Sequence, residues 1–120
     1  MAYDVTLTGV WLGNYRETYP NNPRYQFTVN ERSQVLIEMK APKQFQVGFD
    51  LMCISAGNKD DPLYFRSKTS GAYRSGFVAL PLDLTAGTYD IVPTTFKPGH
   101  EGHFFLVVKS SSQFQLARLK

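Results

Sequence analysis

Arg24-Tyr25-Gln26-Phe27-Thr28-Val29-Asn30-Glu31-Arg32-Ser33-Gln34-Val35-Leu36-Ile37-Glu38-Met39 contains two alternating runs joined by a polar break. Successive side chains of an extended backbone point to opposite faces, so a period of two marks a strand with one apolar side. Tyr25, Phe27 and Val29 share one face, with Arg24, Gln26 and Thr28 on the other. Val35, Ile37 and Met39 repeat the pattern beyond a turn at Asn30 to Ser33. The same rhythm extends in both directions. Tyr3, Val5 and Leu7 lead towards Trp11. Phe45 to Ile54 is apolar on both faces, as expected of a central strand, and ends at Ser55-Ala56-Gly57-Asn58. A polar loop runs to Pro62, Tyr64 and Phe65 suggest a short edge strand, and Phe77 to Leu84 sets Val78, Leu80, Leu82 and Leu84 on one side. Pro81 suits an edge or a bulge, because proline cannot donate to a ladder. Gly87 opens Thr88 to Val92, Pro93 closes it, and Lys97 to Gly102 turns the chain. Phe104, Leu106 and Val108 then alternate with Phe105 and Val107, and Phe114, Leu116 and Arg118 form a last strand.

No stretch sustains apolar spacing of three and four residues, so no substantial helix is expected. Eight or nine short strands at this spacing indicate an antiparallel sandwich or barrel. The 120 residues, 42% hydrophobic and 19% charged, suit a single domain over 1–120 that folds around one core. No apolar run is long enough to span a bilayer, and no secretory leader is read at Met1 to Asp4. A lone cysteine cannot close an internal disulfide, which makes the cytoplasm the expected compartment. The formal charge of +3, from 13 basic and 10 acidic side chains, is small and dispersed. It does not point to nucleic acid.

Three features could carry chemistry. Cys53 is in phase with Val47, Phe49 and Leu51, as a core cysteine is, whereas a thiol nucleophile needs exposure and an imidazole. The two histidines, His100 and His103, lie far along the chain. They flank Glu101 in a turn, but a structural zinc site wants four protein ligands, so solvated turn residues are the better reading and no metal site is assigned. Calcium in β-sandwiches is held by aspartates gathered on loops; Asp60 and Asp61 are the only adjacent pair here, which makes them a candidate weak calcium site. No nucleophile elbow or phosphate-binding glycine loop is present, so no residue is assigned as catalytic. Arg66, Lys68 and Arg74 flank a serine and glycine loop, and Lys40 and Lys43 lie in another. These five are the candidate contacts for anionic lipid or an acidic partner. Trp11, Tyr15, Tyr19 and Tyr25 are expected to pack one end of a sheet.

Beyond patterning, the segment from Leu82 to Val108 carries Gly87-Thr88-Tyr89, then Val92-Pro93-Thr94-Thr95-Phe96, then Pro98-Gly99-His100-Glu101-Gly102 and a phenylalanine-rich strand. It resembles the calpain-type β-sandwich, the C2-like domain III of calpain cysteine proteases. Trp11, Asn14, Thr18, Asn22-Pro23 and Tyr25 resemble the opening of that domain, and Val47-Gly48-Phe49 its central strand. The resemblance covers nearly the whole chain. It implies an all-β fold, an antiparallel eight-stranded β-sandwich of C2-like form, with Gly87 in a tight turn and Gly99 and Gly102 at the positive φ angles of a hairpin. The Ala-Gly-Gly-Cys segment common between the tryptophan and the asparagine is missing. The acidic run of conventional calpains is reduced to Asp60 and Asp61, which resembles the atypical, PalB-like branch.

The catalytic cysteine, histidine and asparagine of calpains belong to other domains and have no counterpart here. The resemblance therefore implies a non-catalytic regulatory or scaffolding module, without a cofactor beyond weak calcium. Its partners would be the protease core or other domains of the same parent chain, or a separate protein. The alternative is a phospholipid membrane-targeting module, peripheral at membranes. An enzyme in its own right would have to depend on Cys53 or His103.

Overall fold

Residues 3–11, 19–96 and 102–119 are described in the computed structural model of the chain. Every alternating run becomes a strand: β1 (Tyr3–Trp11), β2 (Tyr25–Val29), β3 (Ser33–Lys40), β4 (Gln46–Ala56), β7 (Phe77–Leu84), β8 (Gly87–Thr95), β9 (Gly102–Ser110) and β10 (Phe114–Arg118). Two short polar strands, β5 (Ser67–Thr69) and β6 (Arg74–Ser75), bring the total among the described residues to ten rather than eight. Tyr64 and Phe65 are not a strand. The edge of β4 is instead covered by β5 opposite Asp50 to Met52 and by β6 opposite Gln46 and Val47. All five of their residues are exposed, so no alternation betrays them. They are strands only because β4 offers them a ladder.

The strands form two antiparallel sheets. One runs β1-β9-β3-β7, and the other β10-β2-β8-β4 with β5 and β6 along the outer side of β4. The alternating apolar faces meet between them. Tyr25, Phe27, Val47, Phe49, Leu51 and Ile91 of the larger sheet pack against Val35, Ile37, Met39, Phe104, Leu106 and Val108 of the smaller, all essentially without solvent contact. Each such side chain contributes about 1.5–3 kcal/mol on leaving water. Tyr25 stands edge-on to Phe104 (6.3 Å, 86°), and Phe27 stacks on Tyr89 (5.5 Å). The Tyr89 hydroxyl donates to the Thr85 carbonyl at 2.9 Å and ties the β7–β8 turn to the core.

Pro81 lies in β7, an edge strand, opposite Leu36. Pro93 does not close its strand, because β8 continues to Thr95. Opposite it, the Phe49 backbone exchanges hydrogen bonds with Ser70 and not with β8. The missing N–H of Pro93 therefore faces the side where β2 has already ended, at the Tyr25–Ile91 pair. The glycine expectations also change. Among the described residues only Gly71 and Gly76 have positive φ, and Gly99 lies outside the described residues. Gly102 is a glycine because the Phe45 ring sits 2.7 Å from where its Cβ would be, and Gly87 because the Ser55 carbonyl comes within 2.4 Å of such a Cβ. That carbonyl is pushed forward at the irregularity in β4 between Cys53 and Ser55.

Candidate interaction surface

The two sheets treat their outer faces differently. In the larger sheet β8 is buried on both sides: Asp90, Val92 and Thr94 point away from the core and are still covered. The cover comes from the chain itself. A 3-10 turn, Tyr19–Asn21, and the residues after it frame a small hollow with Arg24 over Val92. Tyr73 lies over Gly48, and its hydroxyl is hydrogen-bonded to Thr94 Oγ1.

Polar groups hold this cover down. Asp90, 4% exposed, forms an ion pair with Arg24 through one oxygen, 2.9 Å from Nε, and accepts a hydrogen bond from Gln26 Nε2 on the other at 2.9 Å. Arg24 Nη2 also reaches the Met52 sulfur at 3.4 Å. Burial raises the Asp50 carboxyl above its ordinary pKa, and the Tyr19 hydroxyl bonded to it pulls the other way. Asp90 and Asp50 are thus both engaged inside the fold. The Tyr25 phenol, pushed up by burial, points at Gly9, where a Cβ would lie 2.4 Å from its oxygen. Tyr15 and the Trp11 side chain lie outside the described residues.

Asp60 and Asp61 sit in the loop after β4. Asp60 donates its N–H to Asn58 Oδ1, while Asp61 accepts from Leu63 N–H on one oxygen and pairs with Arg32 Nη2 at 2.6 Å on the other. A cation here would have to compete with Arg32. Among the described residues no three His, Cys, Asp or Glu side chains stand together. His100 and Glu101 lie outside the described residues, and His103 is exposed on β9 opposite Val10.

Cys53 is half-buried and packs against the core beside Leu51. Burial raises its thiol pKa, against a Ser55 backbone hydrogen bond and the charge of Lys59. It lies seven residues along β4 from Gln46, about 23 Å at strand pitch, whereas His103 adjoins the Phe45 end. The fold does not pair them. An open depression of about 580 Å³ over β2 and β10 is lined by Gln26, Thr28, Gln113 and Gln115. Its amides and hydroxyls include no acid or base.

All five candidate basic residues are exposed, but the fold divides them. Lys40 ends β3, and the loop after it is laced to β6 and β7. Ala41 N–H donates to the Gly76 carbonyl (2.8 Å), Gly76 N–H to that of Phe45 (3.0 Å), and the Ser75 hydroxyl to that of Lys43. These bonds gather Lys40, Lys43 and Arg74 at one end of the sandwich. Lys68 lies opposite Leu51, four residues or about 13 Å further along β4 than Arg74 opposite Val47, with its Nζ 4.7 Å above the Phe65 ring. Arg66 is further still, its carbonyl accepting from Cys53 N–H.

Two residues that the sequence reading did not single out complete the basic end. Lys40 is paired with Phe77 on one side and Phe105 on the other, and both rings are exposed, 43% and 52%. The only sequence signal for Phe105 is that it is out of phase with Phe104, Leu106 and Val108.

A profile of the family described as calpain large subunit, domain III, matches residues 6–108. The chain is 41% identical to calpain-7 of Sus scrofa and 39% to that of Homo sapiens, in each case over 90% of its own length and 13% of theirs. It is 32% identical to calpain-5 of Mus musculus, over 79% of its length and 17% of that protein. Among solved structures, the pre-peptidase C-terminal domain of a Bacillus anthracis collagenase superposes with a TM-score of 0.59 at 15% identity, covering 88% of this chain and 89% of that one. That likeness is one of fold. No helix among the described residues is long and apolar enough to cross a membrane.

Proposed function

Since the chain belongs to the calpain large subunit domain III family, we propose that it serves as a non-catalytic docking module of a calpain-type cysteine protease, setting how the protease core sits against its neighbours. It spans 13% of the length of calpain-7, so the activity it would regulate resides elsewhere in such a protein. The observation that carries the reading is the contrast between a closed, apolar core and a surface where Lys40, Lys43 and Arg74 converge beside exposed rings. A rigid sandwich with such a surface acts by geometry: it favours whichever arrangement of the domains lets that surface be covered. The reduced acidic run supports placement in the PalB-like branch, and the cytoplasm is the compartment that suits it.

Association of this chain with the separately produced remainder of its parent protease, followed by sedimentation and by peptidase activity, tests the reading. A salt-weakened one-to-one complex that alters activity is expected; no association and no change in activity would remove it. A second reading, attachment to anionic phospholipid, draws on the same convergence of Lys40, Lys43 and Arg74. Co-sedimentation with phosphatidylserine vesicles, lost at high salt and in a Lys43→Glu, Arg74→Glu variant, is its expected result.

A further inference from the structure

We propose that the outer face of the β1-β9-β3-β7 sheet, centred on Phe77, Lys40 and Phe105, is the docking face, and that its occupant is a protein surface presenting carboxylates beside aliphatic side chains. This rests on the docking reading above and assigns it a place. On the outer side of the larger sheet, β8 is already covered by the chain's own Tyr19–Asn21 turn and Tyr73, and the open part over β2 and β10 is lined by uncharged side chains. On the outer side of the smaller sheet Thr6, Thr8, Lys40, Phe77, Ala79 and Phe105 are exposed, and Val107 alone among the described residues of that face is buried.

Strand pairing orders that face into rows. The first runs Phe77, Lys40, Phe105 and Thr8, with the two rings about 10 Å apart, two strand spacings. The next runs Ala79, Glu38, Val107 and Thr6, and its carboxylate is neutralised by Lys109 at 3.2 Å. Among the described residues the cation at the centre of the aromatic row has no carboxylate partner and is open to an external anion, and Lys43 and Arg74 at the same end reinforce it. Asp4 and Asp83 lie at the opposite end of the same face.

This polarity favours a protein over a membrane. The rings stand on paired strands and not on loop tips, and laying the face on an anionic bilayer would bring Asp4 and Asp83 towards like charge. A protein surface can oppose acid to Lys40 and Arg74, and base or neutral groups to Asp4 and Asp83, while aliphatic side chains fill the space between the rings.

Hydroxyl-radical footprinting of the isolated chain and of the intact parent protease tests the assignment. Oxidation of Phe77 and Phe105, 43% and 52% exposed in the isolated chain, should fall severalfold in the parent, as for half-exposed rings taken into a closed interface. Lys40→Glu should restore the oxidation of both rings, and Phe105→Ala that of Phe77, without lowering the melting temperature of the isolated chain. If Phe77 and Phe105 remain reactive while Ile54 or Leu119 becomes protected, docking stands and this face is the wrong one. If no residue is protected, the docking reading falls with it. Binding to phosphatidylserine vesicles that needs Phe77 and Phe105, without protection in the parent, would overturn the proposal in favour of a membrane.

Discussion

Replacing Gly87 by alanine probes a close approach of the β4 and β8 backbones. Gly87 pairs with Ala56 where β8 begins, and a Cβ there would lie 2.4 Å from the Ser55 carbonyl oxygen and 3.3 Å from Ala56 Cα. The obstacle is backbone held by the β4–β8 ladder, so it cannot swing aside as a side chain would. Its φ is not in the left-handed region, which leaves contact as the only penalty. Overpacking of this kind costs about 1–3 kcal/mol, and the lost freedom of the unfolded chain returns about 0.4–1 kcal/mol. The net destabilisation is about 1.3 kcal/mol, and for a chain of this size the midpoint of thermal unfolding should fall by roughly 5 °C. Gly57 is the control: nothing stands within 4 Å of its Cβ position and its φ is ordinary, so Gly57→Ala should be neutral or slightly stabilising. Calorimetric melts of both variants check the pair. A Gly87→Ala protein as stable as the parent sequence would show that the β4 irregularity yields freely and that the contact argument is wrong.

The Asp50 carboxyl is raised by burial, so the folded state holds its proton more tightly than the unfolded state does. Its ionisation therefore opposes folding: this contribution is most favourable at low pH and is lost as pH rises through the folded-state pKa. Asp50→Asn should be more stable than the original at neutral pH, with the difference shrinking towards about pH 4, as urea titrations across that range would show. Tyr89→Phe removes a buried hydroxyl that donates to the Thr85 carbonyl, and should cost about 1 kcal/mol in chemical denaturation; no loss would mean that the turn does not depend on that bond. Calcium at Asp60 and Asp61 must displace Arg32, so any calcium-induced rise in melting temperature should be larger in Arg32→Ala than in the original chain; an equal or smaller rise would place the ion elsewhere.

The strands were legible wherever burial imposes a period of two. Val35, Ile37 and Met39, or Phe104, Leu106 and Val108, announce their inner face because the opposite face is polar or merely out of phase. β5 and β6 were not legible. Ser67, Lys68, Thr69, Arg74 and Ser75 bury nothing, and only hydrogen bonds offered by β4 make them extended. β8 was read in part, because its outward residues Asp90 and Thr94 look solvent-facing and are in fact roofed by distant segments. Gly102 was expected to need an unusual φ, whereas its constraint is the Phe45 ring, more than fifty residues away.

The candidate surface divides along the same line. Sequence alone determined the residue types available for binding, the absence of a recognisable catalytic motif and the family pattern between Leu82 and Val108, since each depends on neighbours along the chain. Which basic residues act together was decided only by tertiary structure. Lys40 and Arg74 are thirty-four positions apart and meet through the β3–β7 ladder and the loop bonds around Gly76, whereas Arg66 and Lys68, nearer to Arg74 in sequence, are carried away along β4 by strand pitch. Phe77 and Phe105 flank Lys40 because antiparallel register sets residues of three separate strands side by side, and register is a property of the assembled sheet.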